Sequence, residues 1–164
     1  MYTVVVADDE EELRKALIRK VDWESIGFSV VGEAENGAEA LELVAKYEPA
    51  LLLTDIRMPF VSGIELARQV REVRPATQIA FLSGYDDFTY AQQAIQYNII
   101  SYMLKPISAA ELTEELEKIR KKIDEKFLPV MDSVILNSST SGSSKKFKIT
   151  VNDSGAISAT EITT

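Results

Sequence analysis

The 164-residue chain contains no cysteine and no histidine. Without cysteine it has no disulfide, no thiolate nucleophile and no Cys-ligated metal. Without histidine it has neither Ser-His-Asp chemistry nor His-ligated zinc, and it cannot donate a phosphoryl group from a phosphohistidine. Carboxylates, hydroxyls and amines are the groups that remain for chemistry at a site.

Long apolar runs and basic charge are also scarce. No run approaches the roughly 20 residues of a membrane-spanning helix, and no basic segment precedes the first apolar run. We therefore expect no membrane span, no signal peptide and a cytoplasmic location. The chain has 18 basic and 26 acidic residues, a formal net charge of −8. Because this sign is wrong for neutralising nucleic-acid phosphates, we do not expect direct nucleic-acid binding by this chain.

Apolar β-rich runs alternate with amphipathic helical patterns over the first 127 residues. The predicted strands are 3–7, 28–32, 50–54, 78–82 and 99–104, and the predicted helices are 10–20, 38–47, 64–73, 87–97 and 109–126. Ser62, Asp86 and Ser108 precede three of these helices as candidate N-caps. Strands that are apolar throughout are covered on both faces. The pattern predicts an α/β fold, a doubly wound (βα)5 three-layer sandwich with a five-stranded parallel sheet, which is flavodoxin-like.

The rest of the chain has a different composition. Residues 128–144 include the run NSSTSGSS and predict a linker. Residues 145–164 alternate around Asn152-Asp153-Ser154-Gly155 and predict a β-hairpin, with a disordered tail as the alternative. Because a lone hairpin is marginally stable, we expect it to pair with another chain or with the edge of its own sheet.

Polar side chains end four of the five predicted strands: Asp8-Asp9, Asp55, Ser83 and Lys105. The ligand site of a doubly wound fold lies beyond the carboxyl ends of its strands. Carboxylates gathered there repel one another, and a divalent cation with oxygen ligands, Mg²⁺ or alternatively Mn²⁺, would compensate. Lys105 and Ser83 could then hold an anionic group, and a phosphoryl group on the Asp55 carboxylate fits.

Each of these residues also has an ordinary structural explanation. Asp8 could be a helix N-cap, Asp55 a loop cap and Lys105 a solvated surface lysine. Ser83 with Gly84 could form a simple turn. Their joint occurrence at the ends of successive strands favours a functional site over four separate coincidences.

Four motifs make the sequence similar to a known family. They are VVVADDE at 4–10, LLLTDIRMPFVSGIEL at 51–66, FLSGYDD at 81–87 and SYMLKPI at 101–107. Residues 2–126 resemble the receiver (phosphoacceptor) domain of two-component response regulators. The stretches at 23–37 and 84–95 resemble the receivers of AraC-type transcriptional regulators in particular.

The resemblance assigns a role to each candidate residue. It implies that Asp55 is the phosphoacceptor. It implies a Mg²⁺ site formed by Asp9 directly, by Asp8 largely through water, by Asp55 and by the backbone carbonyl of Arg57.

The resemblance also implies a switch. Ser83 and Lys105 would contact the phosphoryl group, Tyr102 would be the aromatic that changes rotamer, and the bond to Pro106 would be cis. The surface formed by the fourth helix, fifth strand and fifth helix would change, with a homodimer as one outcome. Asn98-Ile99-Ile100 departs from the small Gly-Ala pair usual there, which we expect to alter dimerisation.

The function implied is that of a switch rather than an enzyme. A sensor histidine kinase would donate the phosphoryl group to Asp55, and the receiver itself would catalyse both its phosphorylation and its dephosphorylation. The output would be transcription, through a DNA-binding domain for which residues after Phe127 carry no pattern. The alternative is a phosphorylation-independent scaffold or interaction protein. Arg57 stands where an aspartyl-phosphate phosphatase has its second aspartate, and nucleotide-binding glycine motifs are missing, so neither enzyme class is favoured.

Overall fold

The computed structural model describes residues 1–84, 88–126, 133–137, 146–151 and 157–162. The chain divides into two units, Met1–Lys126 and Phe127–Thr164. The strands of the first unit are β1 (Tyr2–Ala7), β2 (Phe28–Ala34), β3 (Leu51–Thr54), β4 (Gln78–Ser83) and β5 (Ser101–Leu104). Its helices are α1 (Glu11–Lys20), α2 (Gly37–Tyr47), α3 (Gly63–Val73), α4 (Phe88–Gln96) and α5 (Ala109–Lys126). No helix within the described ranges is long and apolar enough to cross a membrane.

The five strands form one parallel sheet in the order β2-β1-β3-β4-β5. This confirms the predicted doubly wound α/β fold. The last residues of β1 and β3, Ala7 and Thr54, are paired, as are Ser83 at the end of β4 and Leu104 at the end of β5. The residues that follow these strands therefore emerge along one edge of the sheet.

Successive residues of each strand alternate between two apolar cores. In β1, Val4 and Val6 belong to the core covered by α1 and α5, whereas Val5 and Ala7 belong to the core covered by α2, α3 and α4. This alternation explains why the central strands are apolar at nearly every position.

Side-chain caps fix the start of three helices. Asn36 accepts a hydrogen bond from the backbone N–H of Glu39 at 2.9 Å, and Ser62 accepts one from Glu65 at 3.2 Å. Ser108 and Glu111 bond reciprocally, so α5 begins with a capping box. The predicted caps Ser62 and Ser108 are confirmed, whereas Asp86 lies outside the described residues.

Two local predictions were wrong. Helical spacing in the sequence predicts that Leu13, Ala16 and Leu17 share the apolar face of α1, but Leu13 is 46% exposed and the neighbouring Arg14 is only 6% exposed. The fifth strand begins at Ser101 rather than at 99, because Asn98 has a φ of +55° and ends α4 in a left-handed turn. The contact of Arg14 with Asp8 overrides the helical pattern in α1, and the left-handed turn at Asn98 delays the start of β5.

The second unit contains one antiparallel sheet of three strands. They are β6 (Ser133–Asn137), β7 (Lys146–Val151) and β8 (Ile157–Ile162), with β7 in the centre. The strand β6 lies inside the segment expected to be a linker, where the short run Val134-Ile135-Leu136 was overlooked beside Ser-rich sequence. The predicted hairpin of β7 and β8 thus gains a third strand from within its own unit.

Candidate functional site

Asp8, Asp55 and Lys105 meet at the carboxyl edge of the sheet, where β1, β3 and β5 end. Lys105 Nζ lies 2.7 Å from Asp8 Oδ2 and 3.2 Å from Asp55 Oδ2. A third carboxylate, Glu10, lies 3.8 Å from the same ammonium group. Asp8 and Asp55 are buried, and the Lys105 side chain is 15% exposed. The arrangement is therefore a largely buried cation shared by two buried carboxylates.

The Asp55 carboxylate is held by contacts to both of its oxygens. Oδ1 accepts a hydrogen bond from the backbone N–H of Ile56 at 2.6 Å, and Oδ2 accepts the one from Lys105. Its backbone N–H donates to the carbonyl of Ala7 at 2.9 Å, which ties the end of β3 to the end of β1. Thr54 Oγ1 donates to the Asp55 carbonyl at 2.9 Å. The side chain is thus oriented before any ligand arrives.

Asp8 is bonded through four polar atoms. Its N–H donates to Ala34 at 3.0 Å, and its carbonyl accepts from Arg14 Nη1 at 2.6 Å. Oδ1 accepts the N–H of Glu10 at 2.9 Å, and Oδ2 accepts Lys105. Asp8 therefore joins β1, β2, the start of α1 and the lysine at the end of β5.

The acidic residues fit a divalent cation. One carboxylate oxygen each from Asp8, Asp9 and Asp55 lies within 4.8 Å of the other two. Asp9 is exposed, whereas the other two are buried. An all-oxygen donor set with an exposed side is the kind that Mg²⁺ accepts, since this ion keeps several water ligands.

The surroundings of the site raise the pKa of both Asp55 and Lys105, for different reasons. Burial raises the pKa of Asp55, and the charge of Asp8 raises it further against the opposing effects of Lys105 and the Ile56 N–H. For Lys105, burial alone would lower the pKa, but the contacts with Asp8 and Asp55 outweigh it and raise the pKa. Lys105 therefore stays charged at neutral pH and compensates the carboxylates.

The raised pKa of Asp55 predicts a gain in stability for Asp55→Asn at neutral pH. The folded protein binds the Asp55 proton more tightly than the unfolded chain, whose ordinary pKa is 3.8. The resulting stabilisation is complete below 3.8 and is lost as the pH rises through the higher folded value. The neutral amide avoids that loss, while Lys105 keeps its contact with Asp8. Urea unfolding in EDTA at pH 7 should give a higher free energy of unfolding than wild type, and the difference should shrink towards pH 3.5; equal or lower stability at pH 7 would contradict this.

Ser83 and Tyr102 lie on the strands β4 and β5, and Pro106 follows the end of β5. Ser83 ends β4, is fully buried, and accepts a hydrogen bond from the Lys105 N–H through its carbonyl at 2.8 Å. Tyr102 is half-buried opposite Phe81, with the ring centroids 6.2 Å apart in an edge-to-face arrangement. The peptide bond from Lys105 to Pro106 is cis. The structure thus brings Ser83 and Lys105 to the same edge of the sheet and places Tyr102 beside Phe81 of β4.

The loop from Asp55 to α3 contains features that sequence reasoning missed. The Arg57 side chain reaches α4, where Nε donates to the Tyr90 hydroxyl at 3.1 Å. Phe60 is 94% exposed, with a φ of +66°, and the Val61 N–H bonds the Pro59 carbonyl at 2.8 Å around it. This γ-turn is strained for a residue with a side chain. The sequence signal available for this turn was a bulky aromatic residue, Phe60, directly after a proline.

Two glycines hold this loop against the rest of the fold. A Cβ on Gly63 would lie 2.0 Å from the Asp55 carbonyl oxygen, and a Cβ on Gly37 would lie 2.4 Å from that of Val61. The Gly63 N–H also bonds the Ile56 carbonyl at 2.7 Å. Close backbone approach, which requires glycine, therefore fixes the position of the segment that carries Asp55.

Comparison with known proteins identifies the family. The model of the response regulator receiver domain matches residues 4–117. The chain belongs to this family, as its motifs implied. The family is one of receiver domains rather than of enzymes.

Several relatives carry regulatory names. The chain is 38% identical over 119 residues to the Bacillus subtilis (strain 168) protein named uncharacterized transcriptional regulatory protein YesN, covering 73% of this chain and 32% of that protein. It is 37% identical over 112 residues to the transcriptional regulatory protein HptR of Staphylococcus aureus (strain NCTC 8325 / PS 47), covering 68% of this chain and 44% of HptR. The chain thus spans less than half the length of these relatives.

Solved structures agree with this assignment. The receiver domain of AraT, a response regulator from Geobacillus stearothermophilus, superposes with a TM-score of 0.72 at 36% identity, over 77% of this chain and 98% of that one. A two-component transcriptional regulator AraC from Clostridium phytofermentans superposes with a TM-score of 0.69 at 32% identity, over 76% of this chain and 97% of that one. The predicted similarity to AraC-type receivers is confirmed.

Proposed function

We propose that the receiver, residues 1–127, is a phosphoryl switch in which Asp55 accepts a phosphoryl group from a sensor histidine kinase in a Mg²⁺-dependent reaction. The observation that carries the proposal is the oriented Asp55 carboxylate, bonded to Lys105 and within 4.8 Å of the carboxylates of Asp8 and Asp9. Family membership supports the assignment. The proposed chemistry uses no residue of the second unit, Phe127–Thr164.

In the forward reaction an Asp55 carboxylate oxygen attacks the phosphorus of the donor. The bond from phosphorus to the donor nitrogen breaks, its electron pair stays on that nitrogen, and Asp55 becomes an aspartyl phosphate. Lys105, whose ammonium already bonds Asp55 Oδ2, neutralises charge on the phosphoryl oxygens. In a separate reset step, water attacks the phosphorus, the bond from phosphorus to the Asp55 oxygen breaks, and inorganic phosphate leaves while the carboxylate is restored. The receiver thus supplies catalytic groups for its own modification and its own reset.

The carboxylates at the carboxyl edge of the sheet are the proposed ligands of the metal ion. Asp8, Asp9, Asp55 and the backbone carbonyl of Arg57 would hold Mg²⁺, or Mn²⁺, which when bound stabilises negative charge on the phosphoryl oxygens. The Arg57 side chain contacts Tyr90 of α4, and only its backbone carbonyl is proposed as a ligand.

Phosphorylation would be transmitted through Ser83 and Tyr102. The new oxygens attract the Ser83 hydroxyl, and its movement opens space into which Tyr102 can turn from its place beside Phe81. The surface that changes is α4-β5-α5. Ile95 of α4 is 82% exposed and Leu104 of β5 is also exposed, which favours a homodimer through this surface in the phosphorylated state.

The kinase is proposed to approach from the side of α1 and α5. A cavity of about 410 Å³ opens there beside Asp8 and Lys105, with Leu13, Leu17 and Leu112 in its lining.

Because such kinases draw on ATP, the chain would act in the cytoplasm. Its charge of −8 gives it no role of its own on nucleic acid, and transcriptional output would require a DNA-binding domain outside residues 1–127.

Intact-mass measurement after incubation with acetyl phosphate tests this function. The wild-type chain should gain one phosphoryl group with Mg²⁺ and none when EDTA removes it, and hydroxylamine should release the group as expected for an acyl phosphate. Peptide mapping should locate it on Asp55. No gain under any condition would favour the scaffold function instead.

A further inference from the structure

Arg14 is a buried cation that the proposed chemistry leaves without a role. It lies on α1 and is only 6% exposed, although a lone arginine is costly to bury. Its Nη1 donates a 2.6 Å hydrogen bond to the backbone carbonyl of Asp8, and its Nε lies 3.3 Å from Glu33 Oε2. Glu33 itself is exposed on β2. The guanidinium therefore links the acidic turn to the neighbouring strand.

We infer that Arg14 is a positioning residue, which fixes the Asp8-Asp9 turn in the geometry that binds the divalent cation. The hydrogen bond meets the main chain of Asp8, whose Oδ1 is bonded to Glu10 and whose Oδ2 is bonded to Lys105. With its carbonyl free, the turn could rotate and carry the exposed Asp9 carboxylate away from Asp55. The inference rests on the proposed Mg²⁺ site.

A positioning role and a purely electrostatic role of Arg14 predict opposite changes in Mg²⁺ affinity when Arg14 is replaced. Removing a positive charge close to three carboxylates should strengthen cation binding if charge alone matters. Releasing the turn should weaken it, because contacts that orient a metal ligand typically contribute about 10-fold or more to metal affinity. We expect the second effect to dominate.

Isothermal titration calorimetry with Mg²⁺ on the full chain measures the affinity directly. Arg14→Gln should bind Mg²⁺ about 10-fold more weakly than wild type. Arg19→Gln is the matched control, because Arg19 is exposed on the same helix and its loss changes the net charge equally. Circular dichroism confirms that each variant is folded, and if Arg14→Gln is not, Arg14→Met fills more of the same volume and replaces it.

Phosphorylation by acetyl phosphate over a range of Mg²⁺ concentrations gives a second readout. For Arg14→Gln the half-saturating Mg²⁺ concentration should rise by about the same 10-fold factor, with the rate at saturation near that of wild type. Equal or tighter Mg²⁺ binding, or a lower saturating rate with an unchanged half-saturation, would overturn the positioning role. Failure of the wild-type chain to bind Mg²⁺ would instead overturn the proposed function.

Discussion

Asp55→Asn is expected to take up no phosphoryl group from acetyl phosphate, whatever the Mg²⁺ concentration. The amide lacks the anionic oxygen that attacks phosphorus, so the loss should be complete rather than partial. The carboxamide oxygen can still accept the Ile56 N–H, which holds the wild-type side chain at 2.6 Å. The variant should therefore remain folded, and its intact mass should be unchanged after incubation.

The specificity of that loss can be checked with a second aspartate. Asp22→Asn is a suitable control, because Asp22 is exposed and its side chain bonds only the local backbone N–H of Ser25 among the contacts described. This variant should gain one phosphoryl group as wild type does. A phosphoryl group on Asp55→Asn would place the acceptor elsewhere and contradict the assigned chemistry.

Gly63→Ala is expected to lower the free energy of unfolding by about 3 kcal/mol, at the upper end of the usual cost of overpacking. The new Cβ would lie 2.0 Å from the Asp55 carbonyl oxygen and 2.8 Å from the Ile56 Cα. Both neighbours are backbone atoms, so neither can move aside as a flexible side chain would. Either α3 or the end of β3 must shift, and the 2.7 Å bond from Gly63 to Ile56 should weaken. Chemical denaturation monitored by circular dichroism measures the loss.

Gly84→Ala provides the matched comparison for Gly63→Ala. Among the described residues, no atom lies within 4 Å of a Cβ placed on Gly84, so the same substitution adds a methyl group without a clash there. Its effect on stability should stay within about 0.5 kcal/mol, as for other surface changes. If Gly63→Ala were as stable as Gly84→Ala, the tight approach of α3 to Asp55 would not be structurally required.

The fold and the position of the site could be predicted from the sequence for one geometric reason. The site residues concerned are Asp8, Asp55, Ser83 and Lys105. Parallel strands connected by helices end at the same edge, so residues distant in the chain become neighbours without any knowledge of side-chain packing. The alternation of apolar strands with amphipathic helices sufficed to predict the doubly wound parallel sheet, whereas the strand order came from the structure.

Details that depend on individual side-chain contacts could not be predicted from the sequence. Helical spacing placed Leu13 towards the core, yet Arg14 occupies the buried position because the Asp8 carbonyl gives its guanidinium a partner. The contact between Arg57 and Tyr90 joins the loop after β3 to α4, two segments that are 33 residues apart in the sequence. The strand β6 was overlooked because its three apolar residues are fewer than a reliable strand pattern requires.

Because Asp8 makes four hydrogen bonds, the phenotype of an Asp8 variant has more than one cause. A substitution of Asp8 removes a partner of Lys105 and the anchor of the Glu10 N–H together with a carboxylate, so its phenotype combines folding defects with lost chemistry. Asp9 is exposed, and among the contacts described its side chain carries no such structural bonds. If Mg²⁺ binds as proposed, an Asp9 variant that is no longer phosphorylated would therefore report on ion binding alone, without a folding defect.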